Sequence, residues 1–310
     1  MSNRRNFLKQ FSAGTALLSM GAFPLQAFAK RDIVKITILH TNDVHSRVDP
    51  FPDNDPKFAG KGGVAQRAAI IHQIRNTERN VLLLDAGDMF QGTPYYNMFG
   101  GEVEIKLMSL LGYDAGTIGN HDFDNGIDAL AKQLIHANFP LINSNYDFKN
   151  TAMEGKTLPH KIFEKDGIRI GVFGMGIELK GLVPDKLYGA TIYYNPIESA
   201  AKQAHYLKKT QHCDLIICLS HLGYKYPDGK VSDEVLAKES ANIDLIIGAH
   251  THTFIQTPYK YFNRFNQEVL VAQVGWGGIK LGRIDFYLEK RLKQKTATAL
   301  NYEVSATQKI

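Results

Sequence analysis

Five apolar runs in this chain end in aspartate, asparagine or histidine, and that repetition limits the possible folds more than any other feature. They are Ile36-Thr37-Ile38-Leu39-His40-Thr41-Asn42-Asp43-Val44-His45, Val81-Leu82-Leu83-Leu84-Asp85-Ala86-Gly87-Asp88, Ala115-Gly116-Thr117-Ile118-Gly119-Asn120-His121-Asp122, Leu215-Ile216-Ile217-Cys218-Leu219-Ser220-His221, and Leu245-Ile246-Ile247-Gly248-Ala249-His250-Thr251-His252. Runs this short and this apolar read as strands buried on both faces. Each then delivers oxygen or imidazole donors just past its end, where a hard or borderline cation can be held.

The segments between these runs are helical in pattern. A helix opens at 60–63 and runs to about 79, and another covers about 101–111. After the third run Ile127, Leu130, Ala131, Leu134 and Ile135 share one face at the helical period. A strand is expected at 140–144, and 147–159 is polar and irregular. Asp166-Gly167 is a hairpin turn between strands at 160–165 and 168–174. Asn195-Pro196-Ile197-Glu198 reads as a helix start, with Asn at N-cap and Pro at N1. A short helix falls near 231–239, and 259–287 is strand and turn. Strands alternating with helices predict an α/β class, and the hairpins rule out a purely parallel sheet. A mixed sheet, or two sheets packed between helices, fits. No linker divides the part that follows the N-terminal segment, so one domain is expected from 30 to 310.

Residues 1–29 stand apart. Arg4 and Arg5 precede Phe7-Leu8-Lys9 and an apolar stretch from Phe11 to Phe28, and Ala27-Phe28-Ala29 offers a cleavage site. This resembles a twin-arginine export signal, which implies a periplasmic protein cleaved after Ala29 and carried out already folded. Gly14, Gly21 and Pro24 interrupt the stretch, so a stable membrane span is not expected. Removing the segment takes away three cations and lowers the net charge from +5 to +2. A nearly neutral chain carries no nucleic-acid footprint. Cys213 and Cys218, five apart in an expected strand, should point to opposite faces as small buried apolar groups.

Of eleven histidines, His72, His136, His205, His212 and His160 have no partner at ligand spacing, and His40 lies within the first strand as a hydrogen-bonded core residue. His45, His121, His221, His250 and His252 remain, all at strand ends. Asp43-x-His45 and His250-x-His252 share a spacing that, on an extended segment, lets each pair grip one ion. Gly87 lets the backbone bend and bring the Asp88 carboxylate forward, where its two oxygens can bridge two cations. Bridged ions about 3.5–4 Å apart are the usual arrangement for two-metal hydrolysis.

Together, Asn42-Asp43-Val44-His45, Gly87-Asp88, Gly119-Asn120-His121-Asp122, Ser220-His221 and Gly248-Ala249-His250-Thr251-His252 resemble the five ordered motifs of the calcineurin-like metallophosphoesterases. Leu39-His40-Thr41-Asn42-Asp43-Val44-His45, Asp85-Ala86-Gly87-Asp88-Met89-Phe90-Gln91-Gly92-Thr93 and Phe123-Asp124 are similar to the 5′-nucleotidase and UDP-sugar hydrolase branch. The resemblance implies a four-layer αββα sandwich of two mixed β-sheets flanked by helices. It implies two divalent ions (Mn, Zn, Fe or Co), one on Asp43, His45, Asp88 and His252, the other on Asp88, Asn120, His221 and His250. It implies hydrolysis of phosphate monoesters, 5′-nucleotides first, by a hydroxide bridging the ions. His121 is then the catalytic histidine, oriented by Asp124, although Asp124 also suits the N-cap of the following helix. Asp122 stands where Glu is commoner.

Secreted members of the branch carry a C-terminal domain that binds the base, and no counterpart is expected within 30–310. A separately encoded chain supplying that domain is one expectation. Other activities stay open: a 2′,3′-cyclic phosphodiesterase, a UDP-sugar hydrolase or a thiosulfohydrolase-like enzyme. So does a metal-bearing subunit active only in a complex.

Overall fold

The computed structural model describes residues 33–289 and 294–306. The expected export signal at 1–29 lies outside the described residues. No helix among the described residues is long and apolar enough to cross a membrane.

Strand alternation builds the layers. In β1 (Ile33–Thr41) and β2 (Val81–Asp85), Ile36, Ile38, Leu82 and Leu84 point one way, and Leu39, Leu83 and Val81 point the other. The period of two sends neighbours to opposite faces. Both faces are covered, which is why apolar residues from both faces dominate these runs.

The chain continues with α1 (Val64–Thr77), α2 (Pro94–Phe99), α3 (Glu102–Leu111), β3 (Ala115–Gly116) and α4 (Ile127–Gln133). Then come β4 (Leu141–Ile142), β5 (Tyr146–Asp147), β6 (Thr157–Leu158), β7 (His160–Lys165), β8 (Ile168–Met175), α5 (Asp185–Tyr188) and β9 (Ile192–Tyr193). The last part holds α6 (Pro196–Lys209), β10 (Leu215–Ser220), α7 (Asp233–Glu239), β11 (Leu245–Gly248), β12 (Tyr259–Phe262), β13 (Glu268–Ala272), β14 (Lys280–Glu289) and β15 (Gln294–Glu303).

Seven strands form one sheet in the order β15-β14-β1-β2-β3-β4-β6, and six form another in the order β12-β13-β11-β10-β8-β7. Both are mixed. β1, β2, β3, β4 and β6 run parallel, as do β8, β10, β11 and β13, while β14–β15, β7–β8 and β12–β13 are antiparallel. Ile36, Ile38, Leu82 and Leu84 of the first sheet meet Val172, Ile217, Leu219 and Ile247 of the second in one apolar layer. A second layer packs the outer face of the first sheet on Ile70, Ile74, Ile105 and Met108 of its helices. A third packs Phe173, Ile216, Cys218 and Val271 on Ala200, Ala204, Leu207 and Leu236. Three apolar layers between four structural ones make the αββα sandwich.

Local chemistry fixes several joints. The Asn195 side chain accepts from the N–H groups of Ile197 and Glu198 at 2.9 and 3.2 Å, and Pro196 opens α6. Asp166 and Gly167 sit at φ 48° and 75° between β7 and β8, as a tight hairpin turn requires.

Four sequence expectations are corrected. The helix after the third run is shorter than its pattern: it turns 3₁₀ at Leu134–His136, and Ile135 rotates out to 74% exposure. Cys213 and Cys218 share one layer, because Cys213 precedes β10 and strand alternation does not reach it. His40 is buried, but its Nδ1 has no hydrogen-bond partner among the described residues, and burial lowers its pKa to about 4. The irregular stretch at 147–159 carries the short strand β6 (Thr157–Leu158), and Asp147 closes β5.

Candidate metal centre

The parallel strands of both sheets deliver their donors at the same end. Thr41 pairs with Asp85, Asp85 with Gly116, and Ser220 with Gly248, so the loops leave their sheets level with one another. Ligand sites of α/β sheets lie outside the carboxyl ends of such strands. Beyond the last paired residues the backbone changes regime. Asp43, His45, Asp88, His250 and His252 all have positive φ, between 48° and 68°. A left-handed non-glycine residue costs about 1–2 kcal/mol, and such residues persist where the surroundings over-determine them, typically at functional sites. Gly87, at φ 92°, has the Gly119 N–H group 2.6 Å and His221 Nδ1 2.9 Å from where a Cβ would sit. No side chain fits there, and the β2 loop can therefore press against the β3 loop.

The result is two groups of donors. Asp43, His45 and His252 offer atoms within 4.8 Å of one another, and so do Asp88, His221 and His250. The two histidines of His250-x-His252 therefore part company, each going to a different group. Asp43 and His45 share one group, as their i, i+2 spacing suggested, whereas His250 and His252 do not. All four residues are left-handed, so the alternation of an extended segment governs neither pair. Asp88 lies between the groups: its Oδ2 is 3.1 Å from His221 Nε2 and 3.8 Å from His45 Nε2. Asn120 Oδ1 is 2.8 Å from His250 Nδ1, at the edge of the second group.

The tautomers suit a cation. His221 Nδ1 donates to the Ala86 carbonyl at 2.8 Å, and His45 Nδ1 to the Phe90 carbonyl at 3.1 Å. Each leaves its Nε2 facing the group. His45 Nε2 and His252 Nε2 face each other at 3.0 Å. His221 Nε2 is fully buried and, although close to Asp88, has no partner in hydrogen-bond geometry. A buried ring nitrogen aimed at a carboxylate oxygen calls for positive charge between them, a proton or a cation.

Without a cation, the carboxylates hold a proton on His221. Burial lowers the His221 pKa, but Asp88 and Asp43 outweigh it and raise the value to about 10. Burial raises that of Asp88, yet His221, His45 and His121 hold it well below the usual carboxylate range. Burial and the neighbouring Asp88 push Asp43 well up, against His221. Burial brings His250 and His252 down to about 4, so both stay neutral and keep their lone pairs. Buried carboxylates among imidazoles fit divalent ions.

His121 stands beside these groups, its ring edge-on to His45 at 5.3 Å between centroids. Its Nδ1 is 3.0 Å from Asp124 Oδ2, and that bond is the largest cause of a raised His121 pKa. The N-cap alternative for Asp124 fails, because Gly126 occupies that position and caps with no side chain.

Asp122 has a larger part than its sequence position revealed. Its buried carboxylate accepts from the backbone N–H groups of Gly119 at 2.8, Asp88 at 3.1, Met89 at 2.9 and Phe90 at 3.2 Å. It thus ties the β2 loop to the β3 loop. Burial and Asp88 push its pKa up to about 7, while the four N–H donors favour the ionised form. Asn42 and Gln273 were also missed. Asn42 bonds Asp43, the Gly275 carbonyl and the Val274 N–H group, and Gln273 bonds the Thr253 N–H group and the Ala249 carbonyl. Buried amides close to the donors were the one available signal.

Comparison with known proteins places the fold in a family. Residues 36–254 match the family model for calcineurin-like phosphoesterases. The snake venom 5′-nucleotidase of Gloydius brevicauda is 36% identical over 231 residues, covering 72% of this chain and 38% of that protein. The 5′-nucleotidase of Vibrio vulnificus is 37% identical over 240 residues, covering 74% of this chain and 42% of that protein. The chain therefore spans about two-fifths of the length of these curated relatives. The crystal structure of a 5′-nucleotidase precursor from Thermus thermophilus superposes with a TM-score of 0.77 at 28% identity, covering 88% of this chain and 55% of that one. Fold, ordered donor loops and sequence match coincide, and the chain belongs to the calcineurin-like phosphoesterases, metal-dependent hydrolases.

Proposed function

We propose that the chain hydrolyses phosphate monoesters, 5′-nucleotides foremost, with two divalent ions at the strand-end loops. The observation that carries this is the pair of donor groups flanking Asp88, with the His121–Asp124 pair alongside. The 5′-nucleotidase relatives support the choice of substrate.

In this reading Asp43, His45, Asp88 and His252 hold one ion, and Asp88, Asn120, His221 and His250 hold the other. When bound, such a pair supplies an activated water and offsets the charge that grows on the phosphoryl oxygens. The chain's own residues do the rest. Asp122 keeps the two loops at a fixed separation. The His121 Nδ1 bond to Asp124 fixes the ring and leaves Nε2 free to contact a phosphoryl oxygen or protonate the departing alkoxide. Residues 1–29 serve as an export signal in the same reading, with 30–310 as the phosphoesterase unit, and N-terminal sequencing of the secreted protein tests that boundary.

The deciding experiment is phosphate release from 5′-AMP by the Mn-loaded chain. Robust turnover supports a nucleotidase. Bound Mn without release of phosphate from 5′-AMP, ribose 5-phosphate or glycerol phosphate contradicts it.

A further inference from the structure

A row of aromatic rings continues outward from the metal centre. The Trp276 ring stacks on that of His252, with centroids 5.8 Å apart and planes inclined by 13°. Phe58 meets Trp276 edge-on at 6.0 Å, and Phe254 lies 6.3 Å from Phe58 with planes 29° apart. Buried Phe51 anchors the row from below, 5.4 Å from both Trp276 and Phe58. Trp276, Phe58 and Phe254 are themselves only half-buried.

The row is held in register with the centre. The Gly277 N–H group donates to the Asp43 carbonyl at 2.7 Å, and Asn42 Nδ2 to the Gly275 carbonyl at 2.6 Å. The segment carrying Trp276 is thus tied to the loop carrying Asp43. Lys57 and Lys280 lie over Phe58 and Phe254, at 5.1 and 5.6 Å from the ring centroids. These ammonium groups give the row a positive edge that favours neutral or anionic ligands over cationic ones.

We propose that Trp276, Phe58 and Phe254 form a subsite for the planar aromatic part of the ester whose phosphoryl group lies at the metal centre, a nucleobase in the case of a nucleotide. The inference rests on the phosphomonoesterase reading for where the phosphoryl group sits. Base-to-aromatic stacking changes affinity by roughly five- to a hundredfold per ring on truncation. The row would therefore let this domain by itself distinguish a nucleotide from a sugar phosphate. The three rings stay half-exposed beside the charged site.

Trp276 is the single tryptophan of the chain, so its fluorescence reports on the row directly. The test titrates the Mn-loaded chain with non-hydrolysable phosphonate analogues of 5′-AMP and of ribose 5-phosphate, which differ only by the base. The expected result is saturable quenching by the AMP analogue at about a tenfold lower concentration than any response to the ribose analogue. Phe58→Ala should narrow that preference about tenfold, and Phe254→Leu should narrow it too should the Phe58 variant misfold. Equal binding of the two analogues, or none, overturns the subsite. Phosphate release from both esters with no preference for 5′-AMP would overturn the subsite and leave the phosphomonoesterase reading intact. Selective binding without hydrolysis of either ester would do the reverse.

Discussion

The apolar layer between the sheets and the loops above it are made from the same strands, yet they obey different rules. In the layer, Leu82, Leu84, Ile217 and Ile247 are wholly buried and take their places by alternation alone. A few residues further along, Asp43, His45, Asp88, His250 and His252 turn left-handed, and carboxylates and imidazoles are buried side by side. The layer gains stability from each buried side chain, about 1.5–3 kcal/mol for a leucine or isoleucine. The loops lose stability through strain and buried charge, and a bound cation would offset much of that loss. The general lesson is that regular pairing ends where chemistry begins. Variants of the layer should therefore cost stability, and variants of the loops should cost metal or turnover.

The largest effect is expected at Asp88, which faces both donor groups. Asp88→Asn should lower kcat/KM for 5′-AMP by roughly a thousandfold or more. It should also deplete bound Mn measured by elemental analysis, with the melting temperature of the metal-free protein unchanged or raised. Next is His121→Ala: turnover should fall by about 10²–10⁴-fold while both ions are retained. Loss of metal in that variant would show that the two parts of the site are not separable.

Leu82→Ala tests the other side of the comparison. It should destabilise the fold by about 2–5 kcal/mol in urea unfolding, with Mn content and turnover per folded molecule preserved. Asp122→Asn falls between the two regions, because it places an NH₂ group among four N–H donors. Metal affinity should drop by about 10–100-fold and recover at higher Mn, and the unfolding midpoint should fall, by less than in Leu82→Ala.

The smallest effect concerns pH, far from the centre. Arg283 bonds Asp285 at 3.0 and 3.1 Å and also pairs with Glu78, while Lys35 reaches both acids. Burial alone would raise the pKa of Asp285 and of Glu78, but the cations hold both below their ordinary values. A depressed folded-state pKa stabilises above the unfolded value and is lost as pH falls through the folded one. Arg283→Met should therefore flatten the wild-type loss of stability below about pH 4, read as a smaller acid shift of the urea midpoint.

What the sequence disclosed follows the same division. Val81–Asp85 was legible as a strand because five consecutive buried residues leave no other short element. The hairpin at Asp166-Gly167 and the cap at Asn195 were legible because their turn chemistry is local. β15 (Gln294–Glu303) was missed: it is an edge strand, half-exposed along its length, so no apolar pattern marks it. The residues of the centre were identifiable from their position at strand ends and from a family resemblance. Their grouping was not readable from spacing, since Asp43, His45, His250 and His252 are all left-handed and strand alternation governs none of them. Asp122 escaped because its partners are backbone N–H groups of another loop, which a sequence does not show.

The separation of His250 from His252 is the sharpest point at which the two regimes differ, and anomalous scattering from a Mn-soaked crystal tests it. The account predicts two peaks, one bounded by Asp43, His45 and His252 and the other by His221 and His250, with Asp88 between them. A single peak gripped by His250 and His252 together, or no peak in either group, would contradict it.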